Sequence, residues 1–228
     1  MARPWHKQDP SKLTRLQAEM ERGYPDLRLT LEGHVVVFKG SFPLVHEGKT
    51  IDRFSIEIKI PPDFPDSIPL VFETAGKIPR TADWHTNEKG ELCVLVPEEW
   101  LLHPLHDSVL EFMNGPLRSF LIGHSLAKLG LPRPFGERKH GLDGLAEAYE
   151  ELLEVSGLKQ VVKYLNYLSA KKIKGHWNCP CGSGMQIKKC HFNKFLELQA
   201  KIPRKISRSA LDRLTKLTVK DRRQSPVA

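Results

Sequence analysis

The sequence predicts an α+β fold with a small module appended to it. Three observations carry this: a helical opening segment, a run of short alternating strands, and helical periodicity from about residue 107 onward. Ser11 is placed to cap a helix over 12–22, with Leu13, Leu16, Ala18 and Met20 as a partial apolar face and Gly23-Tyr24-Pro25 as its stop. Leu27, Leu29 and Leu31 then alternate with polar residues. Val35-Val36-Val37-Phe38 forms the next strand, and Gly40 and Pro43 mark its expected end. Phe54, Ile56, Ile58 and Ile60 alternate with Ser55, Glu57 and Lys59, which buries one face of a third strand. Proline cannot donate to a ladder, so Pro61-Pro62-Asp63-Phe64-Pro65 ends it. Leu70-Val71-Phe72 supplies a fourth strand, giving an antiparallel meander behind one helix.

The second half reads as helical. Asp107 or Ser108 caps a helix, with Glu111 three residues beyond Ser108. Gly115-Pro116 interrupts it, and another helix is expected over 117–129. Residues 130–141 hold two Pro and three Gly, the composition of a connection between subdomains. Two more helices are expected over 142–155 and 158–168, the latter with Leu158, Val161, Val162 and Leu165 on a core face.

The 228 residues suit one main domain and an appendix, and no apolar run is long enough to span a bilayer. Residues 1–10 lack the hydrophobic segment of a secretory signal, so a cytoplasmic protein without a membrane partner is expected. The net charge of +8 is uneven: from Lys201 onward nine Lys or Arg face only Asp212 and Asp221. Seven of the eight net charges therefore fall in a C-terminal tail. Two readings stand, a solvated and partly helical tail or an arm for an acidic or nucleic-acid partner. The tail has no aromatic residue, so it offers no platform for base stacking.

The four cysteines divide into three and one. Cys179, Cys181 and Cys190, with His191 directly after, form a compact set of soft ligands. In a reducing compartment such clustering points to metal ligation rather than disulfides. Three thiolates and an imidazole match tetrahedral zinc, and four protein ligands leave no open position for catalysis. Gly182 and Gly184 let the backbone curl around the sulfurs, and Lys188 and Lys189 offset their charge. Cys93 stands apart, behind His85-Thr86-Asn87 and Gly90-Glu91-Leu92. Gly90 breaks regular structure just before it. Asn87, folded back, is a candidate donor to an oxyanion near the sulfur, an effect of roughly 3–4 kcal/mol. A thiol with a pKa of about 8.5 supplies some thiolate at neutral pH without a dedicated base.

Several motifs occur in the order found in ubiquitin-conjugating enzymes, and residues 11–130 resemble that family. An opening helix and a four-stranded meander are followed by the Pro-rich turn of residues 61–69. His85-Thr86-Asn87 is similar to the family's His-Pro-Asn element, with Thr86 in place of proline. Gly90-Glu91-Leu92-Cys93 resembles its Gly-x-Ile/Leu-Cys, and Trp100 and Pro104 stand for its Trp-x-Pro. The resemblance implies that Cys93 accepts a ubiquitin-like C-terminus as a thioester, that Asn87 stabilises the oxyanion, and that His85 supports the turn. His103, His106 and Asp107 are candidates to assist at the mouth of the site, or serve as surface and helix-cap groups. The shortened Asn-to-Cys spacing is similar to bacterial members of the fold in ubiquitination-like and antiphage systems. Such members imply an activating enzyme, a protein acceptor, and a ubiquitin-like protein or a nucleotidyltransferase C-terminus as cargo.

The segment from Trp177 to His191 resembles a SEC-C motif, which implies one structural zinc held by Cys179, Cys181, Cys190 and His191, and a docking role. The expected organisation is a ubiquitin-conjugating-like domain over 1–135, a helical extension over 136–175, the zinc module over 176–192 and the basic tail over 193–228. Two further readings remain beside the enzyme. One is a non-catalytic adaptor that binds ubiquitin-like proteins. The other is a nucleic-acid adaptor built on the zinc module and tail.

Overall fold

A computed structural model describes residues 3–132 and 141–224, with side chains over 3–132 and 142–216. The expected connection over 130–141 and the boundary at 135 fall largely outside the described residues. The chain divides into two compact units, Met1–Glu137 and Arg138–Ala228.

The first unit is α+β. A short helix α1 (Trp5–Gln8) precedes α2 (Pro10–Gly23). Ser11 does not cap α2. The cap is Asp9, whose carboxylate accepts from the Ser11 N–H, and Pro10 takes the first helical position where no N–H is needed. Four strands follow, β1 (Leu27–Glu32), β2 (Val35–His46), β3 (Lys49–Ile60) and β4 (Leu70–Glu73), in one antiparallel sheet ordered β1-β2-β3-β4. Phe54, Ile56, Ile58 and Ile60 are all buried.

Strand β2 runs well past its expected end. Gly40 sits at φ 151°, where an added Cβ would lie 1.9 Å from the Asp26 carbonyl oxygen, so it marks a close backbone approach rather than a break. β1 pairs with β2 only as far as Gly40, whereas Pro43 pairs with Arg53 of β3. Pro43 therefore lies where one side of β2 is an edge, which tolerates proline.

Beyond the sheet lie α3 (Pro97–Leu101), α4 (Val109–Phe112) and α5 (Arg118–Lys128). A π-helical turn, Met113–Leu117, carries the chain from α4 into α5 through Pro116, so the expected interruption is a widened turn. Tyr24 Oη donates to Asn114 Oδ1 at 2.6 Å and ties the end of α2 to that turn. Phe112, Met113, Leu117 and Leu121 are fully buried in the core that the helices share with the sheet.

Glu73 closes β4 and fixes the loop that follows. Its buried carboxylate accepts from the N–H groups of Ala75 (3.0 Å) and Lys77 (2.8 Å), and its own N–H donates to Gly90 O at 3.1 Å. Glu73→Ala is expected to cost about 1–3 kcal/mol, because the loop donors lose a buried acceptor. Urea unfolding checks this, and a midpoint equal to the parent's would deny the carboxylate that role.

The second unit is helical around a small irregular knuckle. It comprises α6 (Gly141–Leu153), α7 (Leu158–Leu168), the knuckle of residues 177–191, α8 (Phe192–Lys201) and α9 (Arg204–Gln224). Val161 and Leu165 are buried as expected. Over residues 193–216 the basic segment differs from a solvated tail. α8, α9 and the link between them bury Phe195, Leu198, Ile202, Ala210, Leu211 and Leu214, while Arg204, Arg208, Arg213 and Lys216 stay exposed. The charge occupies the outer face of an amphipathic helix whose inner face packs on α7. No helix among the described residues is long and apolar enough to cross a membrane.

Candidate functional site

In the first unit the chain leaves β4, passes a 3-10 turn (Ala82–Trp84) and reverses at His85. His85 adopts φ 49°, ψ 42°, a left-handed conformation uncommon for a residue with a side chain. Trp84 stacks on His124 of α5 at 5.5 Å, which anchors the turn. Thr86 is buried and forms a bridge with Leu92. Between them a tight turn closes, with Gly90 at φ 83° and its N–H donating to Asn87 O at 2.9 Å. A Cβ on Gly90 would meet the Arg80 guanidinium at 3.3 Å.

Cys93 emerges from this hairpin with an exposed side chain, while its N–H donates to His85 O at 2.8 Å. His85 thus supports the cysteine loop through its backbone. Asn87 is spent within the turn. Its Oδ1 accepts from the N–H groups of Lys89 (2.9 Å) and Glu91 (3.0 Å), and its Nδ2 donates to the Glu91 carboxylate at 2.9 Å. The amide expected at the sulfur is held by Glu91. That partner escapes sequence reasoning, although Asn87-x-x-Gly90 is itself a turn signal.

His103 and His106 have local partners. His103 stacks on Trp100 at 5.0 Å, and its Nδ1 accepts from Leu105 N–H at 3.2 Å. Trp100 Nε1 donates to His106 O at 3.1 Å. Asp107 is exposed, and the cap of α4 is Ser108, whose hydroxyl accepts from Glu111 N–H at 3.2 Å.

In the second unit the ligand atoms of Cys179, Cys181, Cys190 and His191 lie within 4.8 Å of one another. Cys181 and Cys190 sulfurs are 3.6 Å apart, and His191 Nδ1 lies 3.2 Å from the Cys179 sulfur and 3.1 Å from that of Cys190. A tetrahedral centre with metal–sulfur bonds of about 2.3 Å places its sulfurs about 3.8 Å apart. The donor set and its size fit one metal ion presented with Nδ1 of His191.

The local fold explains this convergence. Cys179 N–H donates to Met185 O and Ile187 N–H to Trp177 O, both at 2.7 Å, closing a hairpin that turns at Gly182 and Gly184. Tyr167 Oη donates to Asn178 O at 2.6 Å, and Gln160 donates to Pro180 O, fastening the knuckle to α7. Burial pushes the Cys179 thiol up to about 11, while the Ser183 hydroxyl pulls Cys181 down to about 6. Burial and the neighbouring sulfurs drive the Tyr164 phenol up to about 12. A cation shared by these sulfurs would offset the burial penalty on the Cys179 thiolate. Tyr164 and Ser183 are not visible as site residues in the sequence.

Comparison of the sequence with known protein families and with curated proteins finds no match.

Proposed function

We propose that this chain is a ubiquitin-conjugating-type enzyme that carries a modifier as a thioester on Cys93 and passes it to an amine. The supporting observation is an exposed cysteine, leaving a hydrogen-bonded turn, in a unit made of an opening helix, a four-stranded antiparallel meander and further helices. In this reading the first unit has the ubiquitin-conjugating fold. The Cys93 thiolate attacks the carbonyl carbon of the modifier held on an activating enzyme, whose own thiolate departs. An acceptor amine then attacks the same carbon, gives up a proton, and expels the Cys93 thiolate. The cargo is a ubiquitin-like protein or the C-terminus of a partner nucleotidyltransferase, in a bacterial ubiquitination-like or antiphage system acting in the cytoplasm. Cys179, Cys181, Cys190 and His191 hold one zinc ion in a SEC-C-type module that docks a target or partner.

The test is incubation with ATP, a cognate activating enzyme and its modifier, followed by mass spectrometry. A thiol-sensitive adduct on the peptide containing Cys93 is expected, and the absence of any adduct on that peptide rejects the enzyme.

One observation favours a second reading, a binding module without chemistry: the Asn87 amide is engaged by Glu91. Charging of Cys93 itself separates the two, and Asn87→Ala then assigns the role of the amide. If the amide swings to the oxyanion, charging stays near the parent rate and discharge to an amine slows roughly 10²–10³-fold. Equal loss in both steps, measured by single-turnover kinetics, would assign Asn87 to the turn alone.

A further inference from the structure

An open cleft of 390 Å³ lies in the second unit, between α7 and the knuckle, lined by Asn166, Tyr167, Trp177 and Asn178. Tyr167 and Trp177 meet edge to face at 5.0 Å, and the Tyr167 hydroxyl bond to Asn178 O holds the two walls together. The Asn166 and Asn178 side-chain amides and the Trp177 indole N–H have no hydrogen-bond partner among the described residues. Both asparagines are exposed. Aromatic faces and unspent donor and acceptor groups thus converge on one small opening.

The segment that forms the cleft is rich in positive charge. Residues 155–196 contain eight lysines and no aspartate or glutamate. Lys194 is paired with Glu154 at 2.7 Å. Lys163 precedes Tyr167 by one helical turn, Lys174 O accepts from Trp177 N–H at 3.0 Å, and the Lys188 side chain lies over Gly175. These three lysines have no carboxylate partner among the described residues.

We propose that this cleft binds single-stranded nucleic acid, seating one unpaired base against Trp177 and Tyr167 while Lys163, Lys174 and Lys188 meet the flanking phosphates. A base has a π face that stacks on aromatic rings, and its edge carries both donors and acceptors, as a primary amide does. An acidic peptide would use the lysines but leave the rings and amides idle. A duplex would hide its bases from so small an opening. None of its lining residues is a candidate metal ligand, and Cys93 belongs to the other unit, so the proposal stands or falls independently of the proposed enzyme.

The test uses the full, metal-loaded chain and a fluorescein-labelled oligouridylate of about twelve nucleotides, read by anisotropy at two salt concentrations. The same oligonucleotide with abasic sites, a duplex, and an oligoglutamate of matched charge serve as comparators. On the order of tenfold tighter binding of the base-bearing strand than of the abasic strand is expected. The affinity should also fall steeply with salt. Trp177 is the single tryptophan after residue 100, so binding should quench its emission, and Trp177→Phe should remove that quench. Asn166→Ala, at an exposed position, should weaken the base-bearing strand alone. Lys174→Glu should weaken both strands and flatten the salt dependence. Equal affinity for abasic and base-bearing strands, for the duplex, or for the oligoglutamate would overturn the proposal. So would an absence of binding at low salt. The abasic comparison needs no substitution, so a variant that fails to fold does not spare the idea.

Discussion

Cys93→Ala is expected to abolish the thiol-sensitive adduct, and Cys93→Ser to replace it with one that resists reducing agents. Serine offers an oxygen nucleophile at the same position, and the resulting oxyester is attacked far more slowly by thiols and amines than a thioester. The loop keeps its backbone bond in either variant, because Cys93 N–H to His85 O does not involve the side chain. The side chain itself is exposed, and exposed substitutions of this kind shift stability by about 0.5 kcal/mol or less. Circular dichroism and the unfolding midpoint should therefore match the parent, isolating the chemistry. An adduct of undiminished yield on Cys93→Ala would place the acceptor elsewhere and end the thioester assignment.

Metal removal should have the second large effect, confined to the other unit. The knuckle buries only Cys179, Pro180 and Ile187, so a cation shared by its sulfurs should add much of its stability to that of the hairpin hydrogen bonds. Structural zinc in short peptides contributes roughly 10–16 kcal/mol of apparent binding energy, more than such a hairpin can replace. Chelation, or Cys181→Ser, should therefore unravel residues 177–191. Loss should spread further than that segment, because Tyr167 and Gln160 donate to Asn178 and Pro180. Hydrogen exchange should show lost protection in the knuckle and at the start of α8, with the sheet of the first unit unchanged. One zinc per chain and X-ray absorption distances of about 2.3 Å to sulfur and 2.0–2.1 Å to nitrogen are expected. A native chain that holds no metal yet keeps its protection would remove the zinc centre.

The strands were legible because alternation of large aliphatic side chains is a strong signal: Phe54 to Ile60 reads as one buried face and is one. Breakers were less legible. Gly40 and Pro43 look like an end to β2, but whether a proline ends a strand depends on which neighbour it faces, which is a tertiary fact. The cap of α2 went to Asp9 rather than Ser11 because both residue types cap, and Pro10 was the deciding signal. The C-terminal segment was obscured by its charge. Ser207, Ala210, Leu211 and Leu214 follow helical spacing and are buried, but small side chains among nine cations make a faint stripe. The soft ligands of the knuckle were readable from spacing alone. The Asn87–Glu91 bond was not, since it depends on the handedness of a turn.

His191 belongs to two structures at once: it presents Nδ1 to the cysteine sulfurs and stands at the first position before α8, where its carbonyl accepts from Phe195 N–H at 3.1 Å. A residue shared in this way merges two equilibria into one. With a metal in place, the imidazole is fixed and the first turn of α8 begins from a prepaid nucleus, the step that otherwise limits helix formation. Ligands 179–191 also leave the ribosome before α8 and α9 do. If the cluster holds a metal, its supply during synthesis would set when the last two helices acquire a template, and a shortage would register as a delay in maturation.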